Sequence, residues 1–273
     1  MMEYGHGGDI YRNRNVELDF SVNVNPLGMP NFVWEAAQRS IAFCTGYPDS
    51  SCENLRGRLS ELTGVPEDQM IFGNGAAELI FRLVQEVRPK KAVIPAPSFA
   101  EYETALRSCG TEIAFFYLKE AESFFLNVSE FLDFLRTEQP EIIFLCTPAN
   151  PTGAMIRQAD LSKILDYCKK HGILLVLDEC FVEFLDEERS CGCIREFLDW
   201  ETGRPEHGGS LFLLRAFTKT YAMAGLRLGY GFCTSRELLE RMEENWQPWS
   251  VSIPAQEAGY AALSEERIPF LKK

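Results

Sequence analysis

The stretch Arg215-Ala216-Phe217-Thr218-Lys219-Thr220-Tyr221-Ala222-Met223-Ala224-Gly225-Leu226-Arg227-Leu228-Gly229-Tyr230 sets a lysine directly after an apolar strand pattern, with an arginine at the start of the next one. A lysine at such a place is by default a solvated surface residue. Partly desolvated beside Arg227, its pKa falls and the free amine becomes a nucleophile able to form an imine. Which of the two applies depends on what the neighbouring loops bring to the same crevice.

Outward from this stretch, short β-rich runs alternate with helical periodicity. The pattern predicts strands over Met70–Gly73, Lys91–Pro95, Glu112–Leu118, Glu141–Cys146, Ile173–Leu177, Ser210–Ala216 and Arg227–Phe232. Helices are predicted over Phe32–Phe43, Ala76–Val87, Phe99–Cys109, Ser129–Glu138 and Gln158–His171, with a further helical pattern running from Pro254 toward Lys273. Such alternation predicts an α/β fold, three layers α/β/α around a mainly parallel seven-stranded sheet, with ligands where loops leave the carboxyl ends of the strands.

Three of those loops carry chemistry. In Phe72-Gly73-Asn74-Gly75-Ala76-Ala77-Glu78 a strand, a glycine turn and a helix start succeed one another, so backbone N–H groups could hold a phosphate; the dinucleotide fingerprint fails because Glu78 stands where its third glycine belongs. Cys146-Thr147-Pro148-Ala149-Asn150-Pro151-Thr152-Gly153 is a tight turn that can aim the Asn150 amide into the crevice. In Ile173-Leu174-Leu175-Val176-Leu177-Asp178-Glu179 a carboxylate pair ends an apolar run, and an aspartate there must be paired or hydrogen-bonded to stay charged.

Composition sets the bounds. The chain has 273 residues, 46% apolar and 25% charged, enough for one large folded domain or one and a half. Its net charge of −13 gives no footing for nucleic acid or an anionic membrane, so an anionic substrate needs a local cationic pocket. Nine scattered cysteines suggest buried thiols in a reducing cytosol. No metal site is expected, since Cys191-Gly192-Cys193 with distant His207 lacks a second ligand pair at zinc spacing. Residues 1–11 carry neither a signal-peptide nor a transit pattern, and no apolar run spans a bilayer, which predicts a cytoplasmic protein.

Together, the glycine turn, the Asn-Pro-x-Gly loop, the Asp-Glu strand end and the Thr-Lys segment followed by Gly-x-Arg resemble, in this order, the pyridoxal-phosphate enzymes of the aspartate aminotransferase fold. The resemblance implies pyridoxal 5'-phosphate as cofactor, with Lys219 as the lysine that bears it and Asp178 as the partner of its ring nitrogen. It places the cofactor phosphate on the Gly75, Ala76 and Ala77 turn with Thr218 and Arg227, Phe99 on the ring, and Asn150 on the ring oxygen beside Phe181. Tyr47 matches a tyrosine that reaches the partner subunit's cofactor, which implies a homodimer. Residues 1–50 become an N-terminal arm and part of a small domain, 51–250 the cofactor domain, and 251–273 the start of a truncated C-terminal small domain. The family's carboxylate-clamping arginine has no counterpart here, and Ala216 replaces a serine that many relatives place on the phosphate.

Within the fold the chain looks most like threonine-phosphate decarboxylases, with histidinol-phosphate aminotransferases next; both act on small phosphorylated substrates. The opening Tyr4-Gly5-His6-Gly7-Gly8-Asp9-Ile10-Tyr11 and the segment Asp19-Phe20-Ser21-Val22-Asn23-Val24-Asn25-Pro26-Leu27-Gly28 carry that resemblance, as does Phe181, where the aminotransferases usually have tyrosine. It implies decarboxylation of L-threonine O-3-phosphate in cobalamin assembly, with His6, Gly7 and Asn25 as candidates for the substrate phosphate. The alternatives are an aminotransferase, or a truncated remnant that binds cofactor without turnover.

Overall fold

In a computed structural model of the chain, residues 7–9, 11, 13–185, 192–202 and 209–272 are described. The first helices are α1 (Asn31–Ser40) and α2 (Glu53–Thr63). A seven-stranded sheet follows, built from β1 (Met70–Gly73), β2 (Lys91–Ala96), β3 (Glu112–Tyr117), β4 (Ile142–Cys146), β5 (Leu174–Asp178), β6 (Leu211–Ala216) and β7 (Gly229–Cys233). Its spatial order is β1-β7-β6-β5-β4-β2-β3, with β7 antiparallel to both neighbours and the remaining pairs parallel. Between the strands lie α3 (Gly75–Val87), α4 (Ala100–Ser108), α5 (Val128–Glu138), α6 (Gln158–His171), α7 (Ile194–Thr202) and the one-turn α8 (Phe217–Thr220); α9 (Arg236–Glu244), α10 (Ile253–Ala262) and α11 (Arg267–Leu271) close the chain.

The central strands read as unbroken apolar runs because both faces of the sheet are covered. Side chains alternate across the pleat. Ile142, Phe144, Leu174, Val176, Phe212 and Leu214 pack on one face with Leu79 and Leu83 of α3, Tyr102 and Leu106 of α4, and Leu239 of α9. Ile143, Leu145, Leu175, Leu177, Leu211 and Leu213 pack on the other with Leu59 of α2, Phe131 of α5, Ile164 of α6 and Ala258 of α10. The three-layer α/β/α architecture and the mainly parallel sheet are as the sequence predicts.

Differences are local. The pattern predicted as one helix from Pro254 breaks into α10 and α11, the first begun by the Ser252 hydroxyl accepting from Ala255 N–H. Arg227 stands in a left-handed turn (φ +61°) before β7 and not within it. Helices α2, α7 and α9 were not anticipated. Among the described residues the eight cysteines are free thiols, and no helix is long and apolar enough to cross a membrane.

Candidate active site

The loops singled out by sequence meet at the carboxyl edge of the sheet. Cys146 at the end of β4 pairs in register with Asp178 at the end of β5, and Asp178 with Leu214 of β6, so the Asn150 loop, the aspartate and the Lys219 segment leave three adjacent strands. Asp178 is only 5% exposed. The Tyr102 hydroxyl donates to Oδ2 at 2.5 Å and the Cys180 N–H to Oδ1 at 2.9 Å. Burial lifts the Asp178 carboxyl above its ordinary range, while those two hydrogen bonds favour the anion. Tyr102 is in turn stacked on Phe144 at 4.9 Å and met edge-on by Phe99 at 5.6 Å.

Across from this carboxylate, α8 carries Thr218, buried, and Lys219, half-buried. The Lys219 Nζ stands 5.6 Å from the centre of the Phe181 ring, and its charge opposes the upward push that burial exerts on the Cys180 thiol. Lysine, aspartate and Phe181 therefore share one neighbourhood.

The candidate anion-binding end lies where β1 gives way to α3. Gly75 has φ +81°, a conformation side chains rarely adopt, and a Cβ there would fall 2.4 Å from Nη2 of Arg227. A Cβ on Gly229 would fall 2.3 Å from the Ala76 nitrogen. These two glycines let the Arg227 guanidinium and the first strand residue of β7 close directly on the helix start. Arg227 is held by the carbonyls of Ala224 and Asn74, at 3.2 and 3.4 Å. Glu78 accepts from the Asn74 N–H at 2.7 Å and from the Trp246 indole at 3.1 Å, locking the turn from the far side. Helix-start amides beside a guanidinium can hold a phosphate.

A buried carboxylate for a ring nitrogen, an amine, flanking aromatic faces and a phosphate cradle fit pyridoxal phosphate as a group. Lys219, Asp178, Asn150, Phe181, Arg227 and the Gly75–Ala77 turn are brought to that edge. His6 lies outside the described residues. Gly7 packs so closely on the chain that a Cβ would overlap the Ser21 carbonyl, and the Gly8 N–H donates to the Ser21 hydroxyl at 2.8 Å. Asn25 reaches the backbone of the Lys219 segment: its side-chain amide donates to the Thr220 carbonyl. Tyr47 is 79% exposed and stacked on Trp249 at 4.4 Å, facing outward. Tyr102 and Cys180 were given no role from sequence. The signal for Tyr102 was its place three residues after Phe99, which puts both on one side of a helix start.

A sheet of this topology, with a lysine after β6, a buried aspartate ending β5 and an anion cradle at α3, defines a pyridoxal-phosphate enzyme of fold type I. The chain belongs to the aminotransferase class I and II family, whose profile matches residues 15–273; its cofactor is pyridoxal 5'-phosphate. It is 37% identical over 267 residues to the threonine-phosphate decarboxylase of Salmonella typhimurium, covering 95% of this chain and 70% of that one. It is 33% identical over 247 residues to the histidinol-phosphate aminotransferase of Methanosarcina barkeri, covering 89% and 62%. The histidinol-phosphate aminotransferase structure from Clostridium acetobutylicum superposes with a TM-score of 0.79 at 25% identity, over 92% of this chain and 70% of that one.

Proposed function

We propose that the protein decarboxylates L-threonine O-3-phosphate to (R)-1-aminopropan-2-ol O-phosphate. The observation that carries this choice is Phe181 beneath the Lys219 amine. At that position a tyrosine would offer the cofactor's ring oxygen a hydroxyl, and a phenylalanine cannot, which leaves the Asn150 amide as donor. The identity with the Salmonella enzyme supports the same choice.

Pyridoxal phosphate, when bound, supplies an electron sink for the pair left on the substrate's α-carbon. The chain's residues do the rest. Asp178, held by Tyr102 and Cys180, keeps a proton on the ring nitrogen. Arg227 and the α3 amides bind the cofactor phosphate. When the bond to the carboxylate breaks and carbon dioxide leaves, Lys219 acts as general acid and delivers a proton to the α-carbon. His6 and Gly7, on the N-terminal arm, are proposed to meet the substrate phosphate. Tyr47, exposed beside Trp249, is read as a contact to the partner subunit of a homodimer. Residues 51–250 are read as the cofactor domain, flanked by parts of a smaller one.

The test is to incubate the protein with pyridoxal phosphate and threonine phosphate, following absorbance and carbon dioxide release in one sample without any keto acid. Release of carbon dioxide supports decarboxylation. The second reading, supported by the Methanosarcina relative, is amino transfer from histidinol phosphate to 2-oxoglutarate; finding only that activity would displace the first. A cofactor band with neither reaction would mark a chain that binds without turnover.

A further inference from the structure

The helix that carries Lys219 is a single turn, Phe217–Thr220. One turn of helix does not hold itself, because nucleation is unfavourable and its last carbonyls lack partners within the helix. Just beyond it, Ala222 sits at φ +48°, an uncommon conformation for a residue with a side chain, so the chain swings away before the helix can lengthen. Buried Phe217 and Tyr221 anchor the segment from the core side. Toward the carbonyl end, the Ala222 N–H reaches the Lys219 carbonyl at 3.3 Å, and a shorter contact comes from a distant part of the chain.

That distant contact is Asn25. Its backbone N–H donates to the Lys219 carbonyl at 3.0 Å and its side-chain Nδ2 to the Thr220 carbonyl at 2.9 Å. Its own conformation is fixed by a local turn, in which Oδ1 accepts from the Leu27 N–H at 3.0 Å and its carbonyl from the Gly28 N–H at 3.1 Å. Backbone donor, side-chain donor, side-chain acceptor and carbonyl are each in use, and Pro26 rigidifies the turn that presents them.

We infer that Asn25 is a positioning residue for Lys219: the N-terminal arm clamps the two carbonyls at the end of the lysine's helix and thereby fixes where the amine stands. This rests on Lys219 as the cofactor-bearing lysine. It gives Asn25 a task distinct from holding the substrate phosphate, and the two tasks have different signatures. A phosphate ligand affects only the encounter with substrate. A clamp on the lysine segment affects the bound cofactor with no substrate present.

The experiment compares wild type, Asn25→Ala and Asn25→Asp by titrating cofactor-free protein with pyridoxal phosphate and recording the absorbance and induced circular dichroism of the bound form. Asn25→Asp keeps the acceptor for Leu27 but loses the donor to Thr220, so it isolates the clamp. Both variants are expected to weaken cofactor affinity about fivefold, the effect of one lost hydrogen bond, and to change the dichroic band, while kcat for threonine phosphate falls and KM holds. Unchanged cofactor affinity and dichroism with a raised KM would overturn the clamp in favour of a phosphate ligand. If wild type itself forms no band, the cofactor assignment fails and the inference with it. Should either variant fail to fold, hydrogen exchange on wild type decides: the Asn25 amide is expected to exchange about a hundredfold more slowly than an unstructured chain, and exchange at the unstructured rate would sink the clamp.

Discussion

The phenol of Tyr102 donates to the carboxylate of Asp178 at 2.5 Å, with the tyrosine 1% and the aspartate 5% exposed. Both groups are lifted above their ordinary pKa by burial, the tyrosine also by the aspartate's charge. Replacing Tyr102 with Phe leaves the ring stacked on Phe144 but removes the donor. The expected cost is about 1–3 kcal/mol for a buried charged acceptor, read by urea unfolding, together with weaker retention of the cofactor. An unchanged unfolding midpoint would show that water replaces the phenol.

The raised carboxyl of Asp178 has a sign. A folded-state pKa above the unfolded value of 3.8 means that the folded chain holds its proton longer. The stability this contributes is complete below 3.8 and is lost as pH rises through the folded pKa. Asp178→Asn is therefore expected to flatten that part of the pH-stability curve in the cofactor-free protein and to be no less stable at pH 7, while turnover collapses. Thermal unfolding at a series of pH values from 4 to 8 checks it; a variant less stable than wild type throughout would contradict it.

Lys219→Ala is expected to abolish the absorbance of lysine-bound cofactor. Its Nζ faces the Phe181 ring and makes no hydrogen bond among the described residues, so stability should change by less than about 1 kcal/mol. A variant that still forms the band would place the cofactor on another amine.

Gly75→Ala tests the phosphate cradle. The new Cβ would lie 2.4 Å from the Arg227 guanidinium in a left-handed conformation, so Arg227 must move. Cofactor affinity is expected to fall at least tenfold, while free phosphate ceases to compete with cofactor binding. Retained competition would move the anion site elsewhere.

Arg215 and Glu179 form an ion pair 5% and 2% exposed, with Nη2 to Oε2 at 2.7 Å. The free Glu179 oxygen accepts from Cys193 N–H at 2.8 Å. Glu179→Gln removes the negative charge paired with the guanidinium and is expected to cost about 3–5 kcal/mol, measured by urea unfolding. A loss below 1 kcal/mol would mean that another group neutralises Arg215.

The strands were legible because burial on both faces writes itself as uninterrupted apolar runs, and Ile142–Cys146 and Leu174–Asp178 fall almost where those runs lie. The residues proposed to hold the cofactor were legible where they sit at a strand end or just past one, as Asp178 and Lys219 do. What escaped depends on contacts distant in sequence. Nothing local in Tyr102 says that its hydroxyl meets a carboxylate 76 residues on, and Asn25 looks like a turn residue until the backbone it caps is seen. Helix α9 escaped because its apolar positions are few among six charged neighbours, though Leu238, Leu239 and Met242 bury one face.

Strand β1 pairs with β7 alone, Met70 opposite Phe232 and Gly73 opposite Gly229. An edge strand made early in synthesis must therefore wait for residues some 160 positions later before it joins the sheet, a contact of high sequence separation that delays completion of the fold. The same pairing brings Arg227 and Gly229 onto the Gly75 turn. A nascent chain thus acquires the proposed phosphate cradle only when the sheet closes, and a cofactor that binds the closed form alone would select finished molecules over folding intermediates.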